Sequence, residues 1–259
     1  MDWMKEAYRL TRKDGAPGID GVTATIYETN LEANLHDLLD RIKSGRYQAP
    51  PVRRAYIPKP DGTQRPLGIP IFEDKVAQRA IAMVLEPIYE QDFLPCSYGF
   101  RPGRSAHQAL HTLRSAIWGQ RLHWVLDIDV RKYFDTIPHS HLRSFLDRRV
   151  TDGVVRRMID KWLNAGVIED GLLHHTTAGS PQGGVISPCL SNIYLHYVLD
   201  EWFATEVQPR LRGRCILVRY ADDLVFRSRQ MRPPRRVNRN TKPRASVAAR
   251  RHYPSESQH

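Results

Sequence analysis

Apolar positions recur at helical spacing over residues 25–44, where Leu31, Leu35, Leu38, Leu39 and Ile42 share one side. Two shorter runs, 52–58 and 65–70, have strand character and flank an Asp61-Gly62 turn, so together they predict a hairpin. A helical period returns over 74–93, with Val76, Ala80, Ile81, Val84, Leu85 and Ile88 on one face and Pro87 placed to kink the end. A further helix is predicted over 104–118. Trp124-Val125-Leu126-Asp127-Ile128-Asp129-Val130 is apolar with acids at alternate positions, and a strand would send Asp127 and Asp129 to the same side. Helices follow near 139–149 and 153–165, then an apolar helix over 186–203. Near the end, Cys215-Ile216-Leu217-Val218 and Leu224-Val225-Phe226 enclose Tyr220-Ala221-Asp222-Asp223, which reads as strand, tight turn, strand.

That last turn changes the picture. Two adjacent carboxylates repel one another, which makes Asp222-Asp223 a poor folding device but a good holder of divalent cations. Hard cations want carboxylate oxygens and complete their shell with phosphate and water. A pair of such ions about 4 Å apart can stabilise both the attacking and the leaving oxygen of a phosphoryl transfer. For the dipeptide alone, a solvated hairpin turn is the plain alternative. A metal pair needs a third carboxylate from elsewhere, and the strand over 124–130 offers Asp127 and Asp129. A basic and aromatic stretch, Arg131-Lys132-Tyr133-Phe134-Asp135, follows that strand at once.

Here the residues carry a resemblance. Asp129-Val130-Arg131-Lys132-Tyr133-Phe134-Asp135 resembles the first catalytic motif of reverse transcriptases, an Asp with an aromatic five residues on, and Tyr220-Ala221-Asp222-Asp223 resembles their third. Between them, Gly179-Ser180-Pro181-Gln182-Gly183-Gly184-Val185-Ile186-Ser187-Pro188 is similar to the Pro-Gln-Gly loop of the second. Ile57-Pro58-Lys59-Pro60-Asp61-Gly62-Thr63-Gln64-Arg65-Pro66-Leu67-Gly68-Ile69-Pro70 and Ser97-Tyr98-Gly99-Phe100-Arg101-Pro102-Gly103-Arg104-Ser105 resemble blocks of the group II intron-encoded enzymes. The blocks stand in the family's order and span most of residues 15 to 226. Viral RNA-dependent RNA polymerases share the palm logic but carry Gly-Asp-Asp and lack the Pro-Gln-Gly loop.

The resemblance implies an α+β right-hand polymerase. Fingers and the N-terminal region would occupy 1–120, an incomplete palm 121–227, and a disordered Arg/Pro-rich tail 228–259, with the thumb absent. It implies RNA-templated DNA synthesis from dNTPs, with two Mg²⁺ ions, for which Mn²⁺ could substitute. The partners would be an intron RNA template and a DNA primer or target, and the activity would be linked to intron splicing and mobility. Asp129, Asp222 and Asp223 become the catalytic and metal-binding carboxylates, with the backbone carbonyl of Val130 beside them; the Asp-to-aromatic spacing favours Asp129 over Asp127. Phe134 becomes the ring that excludes a ribose 2′-hydroxyl. Lys59 and Arg65 become the pair that meets the incoming triphosphate, Arg as a bidentate fork and Lys as a point charge. Pro181, Gln182 and Gly183 would touch the nascent base pair and template, the glycine permitting close backbone approach. Arg101 and Arg104 would meet template phosphates, which position without specifying sequence. For Phe134 a core role stays open, and for the basic residues solvated or ion-paired surface roles do.

Composition adds little to this and qualifies it. The net charge is +11, which suggests a polyanionic partner. From Arg227 to His259, however, ten Lys and Arg face a single acid, Glu256, so this stretch supplies +9 and the rest of the chain only +2. The same stretch has four Pro and no Leu, Ile, Phe or Trp, so it has little with which to build a core. The simplest expectation is a truncated or frame-shifted product, with a native RNA-binding tail as the alternative. A catalytically inactive fragment, or a maturase-type splicing cofactor that binds RNA, is the competing functional reading. Cys96, Cys189 and Cys215 have no Cys-x-x-Cys spacing, and His139, His141, His174 and His175 stand at no recognisable ligand spacing. No signal-peptide pattern and no 18-residue apolar run is present, and a reducing cytoplasm is the expected location.

Overall fold

The N-terminal pattern resolves into three helices, α1 (Asp2–Leu10), α2 (Ala24–Glu28) and α3 (Leu31–Lys43). The single helix expected over 25–44 is broken at Thr29-Asn30, polar residues that compete with the helical backbone for hydrogen bonds. Asn34 Nδ2 bridges the break by donating to the Tyr27 carbonyl at 2.8 Å. In this computed structural model the described residues are 1–58, 62–120, 124–130, 133–174, 183–211, 214–228 and 247–250.

The predicted hairpin forms as β1 (Val52–Pro58) and β2 (Gln64–Ile69), antiparallel, with Pro58 opposite Gln64. The helix after it, α4 (Phe72–Tyr89), ends four residues short of the expected Phe93 and contains Pro87 in its last turn. It is buried on more than the apolar face, since Asp74 and Gln78 are buried with Val76, Ala80 and Leu85. α5 (Ala106–Gln120) starts with a reciprocal cap: Gln108 N–H donates to Ser105 Oγ and Ser105 N–H to Gln108 Oε1. β3 (Trp124–Val130) is the acidic strand with the expected bounds, and α6 (Tyr133–Thr136), α7 (His139–Leu146) and α8 (Gly153–Leu163) follow. Asp152 caps α8 by accepting from Val154 and Val155 N–H. A short hairpin that the sequence pattern did not signal, β4 (Val167–Glu169) with β5 (Leu172–His174), pairs in parallel with β1 through β4. The apolar helix begins as α9 (Ser187–Leu195) and continues through two π-turns, His196–Asp200 and Phe203–Val207. The chain then forms β6 (Cys215–Tyr220) and β7 (Asp223–Ser228).

Two compact units result, each built from two separate stretches: Met1–Gln91 with Phe134–Tyr194, and Asp92–Tyr133 with Leu195–His259. The expected boundary at residue 120 falls inside the second of these units. The reason is packing: Ala109 and Leu113 of α5 bury against Val218 of β6 together with Tyr98. The first unit holds the sheet β2-β1-β4-β5. Leu35, Leu38, Leu85, Leu142, Leu146, Met158, Ile159 and Trp162 are buried in it.

The second unit holds the sheet β6-β7-β3-β8, where β8 (Val247–Arg250) runs antiparallel to β3. This strand departs from the expectation of a wholly disordered tail. Val-Ala-Ala-Arg carries no Pro or Gly, and the open edge of β3 offers backbone partners to any such segment. One face of the sheet packs Leu217, Leu224 and Phe226 against Phe203, with Leu126, Ile128 and Val130 joining them. On the other face Val125, Asp127 and Asp223 are exposed. Among the described residues no helix is long and apolar enough to cross a membrane.

Candidate active site

Strand pairing in the second unit does what the sequence spacing could only suggest. β3 and β7 run antiparallel with Asp127 opposite Val225, Ile128 opposite Leu224 and Asp129 opposite Asp223. Directly opposed residues have Cβ atoms about 5 Å apart. Asp223 is exposed and Asp222, in the turn, is half-buried. The side chain of Asp129 lies outside the described residues. Val130 is oriented into the core beside Leu224 and Phe226, so its part in a site would be confined to its backbone carbonyl. Carboxylate oxygens such as those of Asp222 and Asp223 are the donors a hard divalent cation prefers. Among the described residues no group of three His, Cys, Asp or Glu is assembled as a metal site.

The turn carrying Asp222 is strained and firmly held. Tyr220 pairs with Asp223, which leaves Ala221 and Asp222 as a two-residue loop, and Ala221 has φ +56°. A non-glycine residue in that region costs about 1–2 kcal/mol and persists where its surroundings dictate it. Five hydrogen bonds and one close approach do so. Arg219, fully buried, donates Nη1–H to the Ala221 carbonyl at 3.1 Å. Its Nε and Nη2 donate to the two oxygens of buried Asp200 at 2.9 and 2.6 Å. On the outer edge of β6, Arg219 N–H donates to the Cys96 carbonyl at 2.8 Å, and Tyr98 N–H donates to the Arg219 carbonyl at 2.9 Å. Gly99 then lies so close to the Ala221 amide that a Cβ there would overlap it. Arg219, Asp200 and Gly99 lie outside the residues that the sequence motifs nominate for the site. The available signal was an Arg inside an otherwise apolar strand, a placement that demands a buried partner.

Arg101 and Arg104 belong to the same unit. Arg101 is 7% exposed and donates Nη1–H to the Leu94 and Ser97 carbonyls at 2.9 and 2.8 Å, with its guanidinium 5.2 Å from the Phe93 ring centre. These bonds hold the 94–101 segment from inside the unit. Arg104 is exposed and stacks over the Tyr98 ring at 5.3 Å. The Cys96 thiol is free, and burial followed by the charge of Asp200 pushes it up to about 12, so it stays protonated at neutral pH.

Within the first unit, Arg65 is exposed on β2, while Lys59, Pro181 and Gln182 lie outside the described residues. Phe134 is 8% exposed. Gly183 has φ +110°, and a Cβ on it would stand 2.6 Å from the Gly68 carbonyl oxygen of β2. On that side Gly183 therefore permits a close backbone approach to β2. Just beyond the loop, the Ile186 amide donates to Gln78 Oε1 at 3.3 Å, and Gln78 Nε2 donates to Asp74 at 3.0 Å. Asp74 also accepts from the Tyr47 hydroxyl and from Trp162 Nε1 at 2.5 Å. Burial raises Asp74 to about 6 in spite of these three donors, which oppose the shift.

The chain is similar to known proteins in the same sense. Residues 57–244 match the family "reverse transcriptase (RNA-dependent DNA polymerase)". Protein YkfC of Escherichia coli is 40% identical over 256 residues, covering 87% of this chain and 67% of YkfC. The group II intron-encoded protein LtrA of Lactococcus lactis is 42% identical over 191 residues, covering 73% of this chain but only 32% of LtrA. The fold resembles that of Candida albicans telomerase, solved with a fragment of telomeric RNA, at 13% identity and a TM-score of 0.53, over 80% of this chain and 42% of the telomerase chain.

Proposed function

This chain belongs to the reverse transcriptase family, in its group II intron-encoded branch, and from that premise we propose that it extends a DNA primer along an intron RNA template. The observation that carries the proposal is the register of β3 and β7, which sets Asp129 opposite Asp223 beside the turn residue Asp222. Asp129 and Asp222, supported by Asp223 and by the Val130 carbonyl, would hold divalent cations, two Mg²⁺ ions in the working enzyme. Those ions, when bound, lower the pKa of the primer 3′-hydroxyl and neutralise the departing pyrophosphate.

The protein's own part is positioning and charge, since phosphoryl transfer leaves little covalent work to side chains. Exposed Arg65, with Lys59, would draw in the triphosphate of the dNTP. Phe134 would exclude a 2′-hydroxyl, and Pro181, Gln182 and Gly183 would lie along the nascent base pair. Exposed Arg104 would meet template phosphate. Such a protein would act in intron splicing and mobility.

The test is single-nucleotide addition on poly(rA)/oligo(dT) with dTTP and MgCl₂, beside an Asp222→Asn control. Template-dependent addition that the control lacks supports the reading. RNA binding without any addition would favour a maturase-type binding role.

A further inference from the structure

We infer that Arg219 and Asp200 are positioning residues that hold the Tyr220–Asp223 turn in the conformation its carboxylates need. The claim about geometry stands on the structure; the claim about rate rests on the polymerase reading above.

The ion pair is an odd choice for stability alone. Both side chains are fully buried, and replacing a buried ion pair by apolar residues of similar volume commonly leaves a protein as stable or more so. What apolar residues cannot supply is direction. Asp200 takes two of the guanidinium's nitrogens, Nε and Nη2, and so fixes the plane of the fork. The Nη1 held by that plane meets the carbonyl of Ala221, the residue with φ +56°, one position before Asp222. Asp200 itself closes the π-turn His196–Asp200. One extra residue in a helix rotates the next turn by about 100°, and π-turns of this kind often mark functional places. Backbone bonds from the 96–98 segment hold Arg219 from the strand edge, and Gly99 leaves no room for the Ala221 amide to retreat. The turn is thus fixed from below by a side chain and from the side by a backbone. Displacing a reacting group by about 1 Å can cost about a hundredfold in rate, which gives such a device its value.

The experiment compares the 259-residue wild type with the apolar replacement Arg219→Met/Asp200→Leu and with Arg219→Lys, which keeps the charge but loses the fork. Three quantities are read: thermal melting, hydrogen exchange of the amides from Arg219 to Leu224, and single-nucleotide addition. Both variants are expected to melt cooperatively. Exchange across the turn should accelerate at least tenfold while Leu217 and Phe226 keep their protection. The kcat for addition should fall about a hundredfold with KM for dTTP nearly unchanged. A folded variant whose turn exchanges like wild type would overturn the proposal; if the double variant fails to fold, the same reading of Arg219→Lys decides. Faster exchange with unchanged kcat would overturn the part about rate. If the wild type itself adds no nucleotide, the polymerase reading fails and the exchange data still decide the positioning.

Discussion

The Arg219 guanidinium meets both carboxylate oxygens of Asp200, at 2.9 and 2.6 Å, with neither side chain exposed to solvent. Removing one partner strands the other charge in the interior. Asp200→Ala should therefore cost about 3–5 kcal/mol, whereas the matched apolar pair Arg219→Met/Asp200→Leu should come within about 1–2 kcal/mol of wild type. Urea denaturation of the three proteins measures this. Equal destabilisation by the single and double changes would show that the pair itself, and not an orphaned charge, dominates.

Gly99→Ala tests the mould around the same turn. The added methyl would overlap the Ala221 amide and stand 3.0 Å from the Tyr220 carbonyl carbon. Both are backbone atoms and cannot swing aside, so a loss of about 1–3 kcal/mol is expected. Gly103→Ala supplies the contrast: nothing lies within 4 Å of a Cβ there, although its φ of +67° leaves a conformational cost of its own. A Gly99→Ala protein no less stable than Gly103→Ala, compared by melting, would mean that the 96–99 segment adapts freely.

Phe134 is buried, so Phe134→Val will lower stability whatever else the ring does. Its proposed role is volume exclusion, and that predicts a specific change: kcat/KM for UTP relative to dTTP should rise at least tenfold. Both rates falling together, with the ratio constant, would leave Phe134 as core alone.

Periodicity made most of these elements legible. β3 appears with the predicted bounds because alternating acids in an apolar run admit few other structures, and the β6–β7 hairpin because two apolar runs flank a polar tetrapeptide. What escaped depends on distant partners. β4 is only three residues long and owes its existence to β1, more than a hundred residues earlier in sequence. Asp74 and Gln78 interrupt the apolar face of α4 as ordinary polar residues would, and only their contacts with Tyr47, Trp162 and Ile186 explain their burial. At the site, Asp222 and Asp223 could be named from their motif, whereas Asp200 sits in a helix whose π-turn no local pattern announced. The burial of Arg101 is likewise invisible in its motif, because two carbonyls and the Phe93 ring supply it.

Asp74 should make stability depend on pH. Its folded pKa, raised to about 6 mainly by burial, exceeds the ordinary value of 3.8. The folded state therefore binds the proton more tightly than the unfolded chain does. The resulting stabilisation is complete below about pH 4 and is lost as pH rises through 6, with a total of order 3 kcal/mol. Asp74→Asn removes the ionisation, so its curve should lack this step. The difference between the two curves isolates Asp74. Parallel curves between about pH 4 and 7 would refute the assignment.

The carboxylates admit a sharper test than a single knock-out. Asp127 and Asp129 both belong to β3, but Asp127 stands opposite Val225 and Asp129 opposite Asp223, beside the turn. Only Asp129 is thus in register with the Asp222–Asp223 pair. Asp129→Asn and Asp222→Asn should each lower nucleotide addition by about a thousandfold or more. Charge stabilisation by bound cations is worth several kcal/mol, and each 1.36 kcal/mol is a factor of ten. Asp127→Asn, exposed and one pleat away, should lose less than tenfold. All three changes preserve side-chain volume, and melting curves near wild type would confirm that folding is intact. Addition of Mn²⁺ gives a readout independent of turnover: its binding, followed by electron paramagnetic resonance, should weaken in Asp129→Asn and Asp222→Asn and persist in Asp127→Asn. A dead Asp127→Asn beside an active Asp129→Asn would assign the metal site to the other acid and move it one pleat along the strand.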